Sequence, residues 1–479
     1  EGYIFTDHMR SGNITTHQYL LILDNTGGPV WYHRFPWTTG GTTGPRFQLR
    51  DFKLQGNNQL SYIEMIPEDR GWHVLNNSFK RVRTIVPANG YDPDHHDMKI
   101  REDGHVLLIA KDLRDLSKQN ISSLPGNASG VAIGCVVQEL DADNRLVWQW
   151  SSWHHLPNQF EETLTADDYR FKFDSSRLDH LHANAVAWTP DGHVLLSLRY
   201  LSQVIKIDRE TGYVIWKMGG KANQFRFVND PFNGFSFQHD AVLHPDGHLT
   251  LYDNGNERDP PRSRAVEYRL DEDKKIATLV WQYSPGIWGA AMGSHQRLAN
   301  GNHGVSWGGI EGDPGGAQPF YSEISPDGEE LLRMRFKKGM GYRAARLPFE
   351  GIDNSTKPTL LLDTNAEPAT LHYSWNGATK VAKWRVLGGW GLQKTYAVEV
   401  VNKTRFEHST ALTGKFNPTG SCVYFRVEAL NVRGTIIGSS DTIFPPWCPK
   451  IQNDGPSAGG PTDNADPKRR QESARVLLP

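Results

Sequence analysis

Hydrophobic and polar positions between Asp179 and Gly220, DHLHANAVAWTPDGHVLLSLRYLSQVIKIDRETGYVIWKMGG, fall into four short apolar runs separated by turn residues. HANAVAWT predicts a strand, Pro190-Asp191-Gly192 a tight turn, and HVLLSLRY the returning strand. SQVIKID leads to a second turn at Arg209-Glu210-Thr211-Gly212, and YVIWKMGG closes a four-stranded antiparallel unit. Val, Ile, Leu and Tyr fill the runs, while Asp-Gly and Thr-Gly supply the positive φ that tight hairpins need. Two residues depart from a plain strand pattern. His182 opens the first strand and Arg199 ends the second, so antiparallel pairing places both near one rim of the sheet.

The unit recurs. Its second turn has counterparts at Leu23-Asp24-Asn25, Asn76-Asn77-Ser78, Asp141-Ala142-Asp143-Asn144, Asp271-Glu272-Asp273 and Pro326-Asp327-Gly328. Its first turn returns at Gly56-Asn57-Asn58, Glu102-Asp103-Gly104, Pro245-Asp246-Gly247 and Ala299-Asn300-Gly301. Six second turns against five first turns predict an all-β, six-bladed β-propeller over residues 1–355, with one blade shared between the termini. The strand in GYRAARLPF (341–349) is expected to pair with the N-terminal strands and leave no open edge. Residues 356–448 alternate at period two, as in TLHYSWNGATKVAKWRVLGG and CVYFRVEALNVRGTIIGSS, and predict a fibronectin type III/Ig-like β-sandwich. Residues 449–479 are rich in Pro, Gly, Ser and charge and predict a disordered tail.

A net charge of −2 gives no global field for nucleic acid or an anionic membrane, and no apolar run reaches the roughly 20 residues of a membrane span. Asn-x-Ser/Thr stands at Asn13, Asn76, Asn120, Asn127, Asn354 and Asn402, which points to glycosylation in a secretory compartment. Secretion is therefore expected, with a leader removed ahead of the opening EGYIFTDHMR. Cys422 and Cys448 are close enough in sequence to form a disulfide there, and Cys135 in GVAIGCVVQEL reads as a buried strand residue. The chain is expected to be a monomer or weak oligomer.

A propeller brings the starts of its inner strands to one axial mouth, so the recurring polar residues there are the candidates for chemistry. They are His96, His182, His239 and His295, read as one register in four sheets, with Arg199 across the hairpin from His182 and His303 across from His295. Asn184 and Gln238, next to His182 and His239, join His295 and His303 as candidate substrate-binding residues. The competing reading is structural: histidines at strand ends often bond neighbouring carbonyls. His33, His73, His105, His193, His244 and His248 lie in turns or outer strands and are expected at the surface. Three imidazoles suit zinc or copper, but Arg199 places a fixed cation beside them, and neither short His-x-His nor carboxylate-flanked spacing supports chelation. A guanidinium among imidazoles suits an oxyanion instead, so no metal and no cofactor are expected.

YDPDHHDMKI, HANAVAWTPDGHVLLSLR, GFSFQHDA with LYDNGN, and GSHQRLANGNHGVSWG resemble the secreted, fungal-type branch of the arylsulfotransferase family, and the likeness continues through SWNGATKVAKWRVL. The resemblance implies three histidines and one arginine at the propeller axis that hold a sulfuryl group, one histidine taking it covalently. His96, His182 and Arg199 would be the sulfate-binding positions and His239 the nucleophile, with His95 or His96 pointing into the site. The branch also resembles cofactor-independent cyclases of the hetero-Diels–Alder type. Three readings follow: nucleotide-independent aryl sulfotransfer on a small phenolic substrate, cyclisation in the same pocket, and a non-enzymatic secreted carbohydrate- or partner-binding protein.

Overall fold

The computed structural model describes residues 2–9, 17–35, 49–66, 69–115, 131–163, 177–310, 318–351, 356–391 and 395–448. Asn13, Asn120, Asn127, Asn354 and the segment 449–479 lie outside the described residues. Two compact units emerge, Glu1–Gly27 with His33–Pro348, and Gly28–Tyr32 with Phe349–Pro479. The protein is all-β, and no described helix is long and apolar enough to cross a membrane.

The reference unit folds as its pattern demands. Ala183–Trp188, Val194–Leu198, Gln203–Ile207 and Val214–Gly219 pair in chain order. Gly192 turns the first hairpin at φ 86°, donating its N–H to Thr189 O at 3.0 Å. Arg199 does not end the second strand; it starts the 3-10 turn Arg199–Leu201 that follows. Val194–Leu198 and Gln203–Ile207 are buried along their whole length, whereas Val214–Gly219 exposes Ile215 and half-buries Val214 and Lys217. Apolar runs therefore mark inner strands, and polar alternation marks outer ones.

Five further sheets of four or five strands are described in this unit, starting at Leu49–Leu54, Asp92–Ile100, His239–Leu243, Ser294–Arg297 and Ala344–Leu347. The last is the closure expected from GYRAARLPF: Tyr3 pairs with Leu347 and Thr6 with Ala344. Each first strand touches the first strand of the next sheet, and Ser294–Arg297 leads back through Ala344–Leu347 to Leu49–Leu54. Packing between sheets supplies the core, as where Leu107, Val137 and Trp150 meet Val186, Leu196 and Ile205. The recurring Trp of the outer strands locks adjacent sheets: Trp150 Nε1 donates to Gly212 O at 3.0 Å and Trp216 Nε1 to Glu272 Oε2 at 2.8 Å.

The second unit holds a three-stranded sheet (Thr359–Asp363, Thr370–Ser374, His408–Ala411) and a four-stranded one (Thr395–Asn402, Lys383–Gly389, Tyr424–Leu430, Ile436–Ser439). Both contribute to one core around Leu371, Tyr373, Trp384, Phe425 and Val427. Cys422 and Cys448 are disulfide-bonded, with Cα atoms 5.4 Å apart, and Cys135 is a buried free thiol. Asn402 is exposed at the end of its strand; Asn76 sits in a turn, its Oδ1 accepting the N–H groups of Ser78 and Lys80. His73 corrects the sequence reading. It is fully buried on Gly71–Leu75, against the Tyr62 ring at 5.1 Å and within 3.2 Å of both Thr84 Oγ1 and Asp69 O.

Candidate active site

The inner strands break their ladders near the start. Register shifts fall between Arg50 and Lys53, Pro93 and Met98, Ala183 and Ala185, and His239 and Val242. Each break swings a polar side chain out of the sheet pattern. Counting back five residues from the first-turn carbonyls of Gln55, Arg101, Thr189, His244 and Leu298 gives Arg50, His96, Asn184, His239 and Gly293. The four histidines therefore do not share one register. His182 stands two residues earlier than Asn184, and His295 two residues deeper than Gly293.

His96 and His182 meet, their ring centroids 4.6 Å apart. His96 Nδ1 donates to Asp94 Oδ1 at 2.6 Å, and His182 Nδ1 to Asp179 Oδ2 at 2.5 Å. Asp94 also pairs with Lys111 at 3.2 Å. His95 lies beside His96, centroids 4.1 Å apart, but His96 is the more buried and the one that meets His182. Burial works to raise the Asp179 carboxyl, yet the His182 imidazole overrides it and holds the group at about 2. Burial brings His96 down to about 4, with Asp94 opposing.

His239 is buried and differently held. Its Nδ1 lies 2.7 Å from Asn254 Oδ1, while Asn254 Nδ2 donates to Gly289 O at 2.6 Å and Met292 O at 3.1 Å. Those two carbonyls fix the amide, so Oδ1 must accept and Nδ1 must carry the proton. The Nε2 lone pair then accepts the N–H of Met292 at 3.1 Å. Burial, and after it the Arg199 guanidinium, push His239 well below the usual histidine range. His96 and His182 act on it in the same direction, which places all four residues in one electrostatic neighbourhood.

Arg199 is buried and has no carboxylate partner among the described residues. Its Nη2 donates to Ala290 O at 2.9 Å, and its guanidinium lies over the rings of Phe237 (4.7 Å) and Tyr200 (5.0 Å). Tyr200 in turn packs on His182, centroids 4.7 Å apart. Backbone strain gathers here: His182, Phe237 and Met292 take φ of 50°, 55° and 66°, unusual for residues with bulky side chains.

The structure does not bring His295 and His303 to this cluster. His303 pairs with Arg297 across the hairpin, not with His295. The rings bond each other, His295 Nε2 to His303 Nδ1 at 2.9 Å, and both stack on Trp281. Burial takes them to about 3 and about 4. His295 lines a separate cavity of about 240 Å³ with Lys53, Asp240 and Arg343. Asn184 and Gln238 are fully buried clamps. Asn184 Nδ2 donates to Gln238 O at 2.7 Å, and Gln238 Nε2 to Ser197 Oγ at 2.9 Å and Gln203 O at 3.0 Å. Their amide N–H groups are spent on the protein.

Sequence reasoning passed over Asp94, Asp179, Asn254 and the Gly289–Met292 backbone. The signal for the first two was present as Asp94-His95-His96 and Asp179-His180-Leu181-His182, so carboxylate-flanked and His-x-His spacings do occur. His180 turns away to Gln159 Oε1 at 3.1 Å. Ligand atoms of Asp94, His95 and His96 lie within 4.8 Å of one another, but the Asp94 oxygens are already spent on His96 and Lys111.

The model of the arylsulfotransferase (ASST) family matches residues 7–343, which contain the whole cluster. The chain belongs to this family. No curated protein matches it. Among solved structures, a Bacteroides caccae protein of unknown function aligns at 11% identity over 72% of this chain and 98% of its own, TM-score 0.44. A putative 6-phosphogluconolactonase from Bacteroides fragilis aligns at 12% over 72% and 98%, TM-score 0.34. Virginiamycin B lyase from Staphylococcus aureus aligns at 10% over 79% and 91%, TM-score 0.29. Family membership points to an enzyme of the aryl sulfotransferase type, and the cluster offers such chemistry a buried guanidinium with no carboxylate ion pair among the described residues, beside a neutral imidazole.

Proposed function

We propose that the protein is a nucleotide-independent aryl sulfotransferase of a secretory compartment, with its site at the mouth of a six-bladed propeller followed by a fibronectin III-like sandwich. The observation that carries this reading is buried Arg199, without a carboxylate ion pair among the described residues, beside His239, which burial and Arg199 keep neutral while Asn254 fixes its tautomer. His239 Nε2 attacks the sulfur of an aryl sulfate, the N–S bond forms as the S–O bond breaks, and the phenolate leaves. Arg199, His96 and His182 hold the sulfuryl oxygens. An acceptor phenol then attacks sulfur, passes its proton to solvent and returns His239 to its starting state. Met292 must release Nε2 first.

Purified protein given p-nitrophenyl sulfate and a phenol is expected to show ping-pong kinetics, and His239→Ala to lose several orders of magnitude in kcat. The Met292 N–H on Nε2 favours a second reading, in which His239 stays hydrogen-bonded and the aromatic walls of Tyr200 and Phe237 orient reactants for a cyclisation. In that case His239→Ala loses one hydrogen bond, about 30- to 1000-fold in rate. Full activity in His239→Ala would remove both mechanisms.

A further inference from the structure

Three imidazoles stand together, but their Nδ1 atoms meet different partners. His96 and His182 each donate to a carboxylate, His239 to a neutral amide. A carboxylate accepts and cannot donate, so Nδ1 of His96 and of His182 must carry a proton in either charge state. In the neutral form, Nε2 is then a bare lone pair. Facing an anionic oxygen, that lone pair repels it. Only the imidazolium presents an N–H, and the carboxylate behind each ring stabilises that cation, as a buried aspartate does in a catalytic triad.

We propose, resting on the reading above that an anion occupies this site, that the anion enters together with a proton taken up by His96. Asp94 is the positioning residue that makes that ring the proton acceptor, while burial and Arg199 keep His239 out of the exchange. The division of labour among chemically identical side chains is thus set by what stands behind each of them.

The surrounding groups leave His96 without its second proton until an anion arrives. Arg50 comes from Leu49–Leu54, Asp94 and His95 from Asp92–Ile100, and Lys111 from Val106–Asp115. Asp179 precedes Ala183–Trp188, Arg199 and Tyr200 follow Val194–Leu198, and Tyr342 reaches in before Ala344–Leu347. Burial, opposed by Asp94 and helped by Arg50, holds His96 at about 4 when no anion is present. An anion set against Arg199 reverses the local balance and makes imidazolium the favoured form.

The test is calorimetric titration of the intact protein with inorganic sulfate, repeated in buffers of different ionisation enthalpy to count protons. At least one proton should be taken up per sulfate near pH 7, and affinity should fall about tenfold per pH unit for each proton as pH rises. Asp94→Asn is expected to cut the uptake by about one proton and flatten the pH dependence, and Asp94→Glu to restore part of it. A loss of packing alone would weaken binding equally at every pH. Sulfate binding without proton uptake, uptake unchanged in Asp94→Asn, or no sulfate binding at all would overturn the proposal. Proton-coupled sulfate binding in a protein that never transfers a sulfuryl group would leave it standing and remove sulfotransfer instead.

Discussion

The N–H of Met292 meets Nε2 of His239 at 3.1 Å, and Met292 reaches it from a left-handed φ of 66°. The lone pair of the proposed nucleophile is thus satisfied by the backbone of Gly289–Met292, the segment whose Ala290 carbonyl also engages Arg199. Asn254 holds both sides of this contact, taking the Nδ1 proton and donating to Gly289 and Met292. Asn254→Ala frees the ring to change tautomer and rotate. Loss of a buried hydrogen bond of this kind costs about 1–3 kcal/mol, so kcat with p-nitrophenyl sulfate should fall roughly 5- to 150-fold with little change in KM. An unchanged kcat would mean that the orientation of His239 does not matter.

Asp7 predicts a pH dependence of stability. Its carboxyl is fully buried between the N–H groups of Tyr342 (2.7 Å) and Asp51 (2.9 Å). Burial raises it to about 7 against those bonds. Below about pH 4 both folded and unfolded chains carry the proton; between about 4 and 7 only the folded chain keeps it. Stability from this group is therefore full at low pH and is lost as pH rises to about 7, by an amount on the order of 4 kcal/mol. Urea unfolding of the wild type and Asp7→Asn from pH 4 to 8 should show this slope only in the wild type. Parallel curves would place the Asp7 pKa near its ordinary value.

Arg264 should be among the costliest residues to replace. Its guanidinium is fully buried between Asp230 at 2.9 Å and Asp253 at 2.8 Å, and donates to Gly234 O at 2.7 Å. Arg264→Met keeps much of the volume but leaves Asp230 buried without a cation and Asp253 with Arg258 alone. Breaking one side of such a pair costs roughly 3–5 kcal/mol. Denaturant unfolding should report a loss of that size, and a loss below about 1 kcal/mol would mean that water reaches the two aspartates.

The Cys422–Cys448 bond closes a loop of 26 residues in the second unit. Chain entropy assigns such a loop about 3 kcal/mol. A Cys422→Ser, Cys448→Ser double variant should lower the unfolding free energy of this unit by that amount, and its midpoint with it, while p-nitrophenyl sulfate turnover stays as in the wild type. Equal midpoints with and without reductant would show the bond to be energetically idle.

The hairpins were legible because Asp-Gly and Asn-Gly turns punctuate apolar runs of strand length, and the closing strand was legible from an unequal count of turns. His96, His182 and His239 were legible because polar residues at strand starts stand out against Val and Leu, and Arg199 because it follows the returning strand on the same rim. The ladder breaks were not. An extra residue at Asp240, with φ 54°, leaves no mark in a two-letter pattern, yet it shifts every side chain before it relative to the turn. His295 therefore looked equivalent to His239 and is not. His73 failed for another reason: an outer position along a strand says little when the neighbouring Tyr62 ring covers it. The carboxylates behind His96 and His182 were visible in the sequence, but their effect depends on which ring nitrogen they meet, and only the geometry decides that.

The pairing of Tyr3–His8 with Ala344–Leu347 sets an order of events during biosynthesis. Tyr3–His8 leaves the ribosome long before Ala344–Leu347 and waits for it, and at roughly 5–20 residues per second that wait lasts on the order of tens of seconds. Throughout it, the edge of Tyr3–His8 stands open to any other chain. A nascent chain that stalls before Ala344 can build the intervening sheets and still fail to seal, so completion of this one pairing separates a finished molecule from an aggregation-prone one.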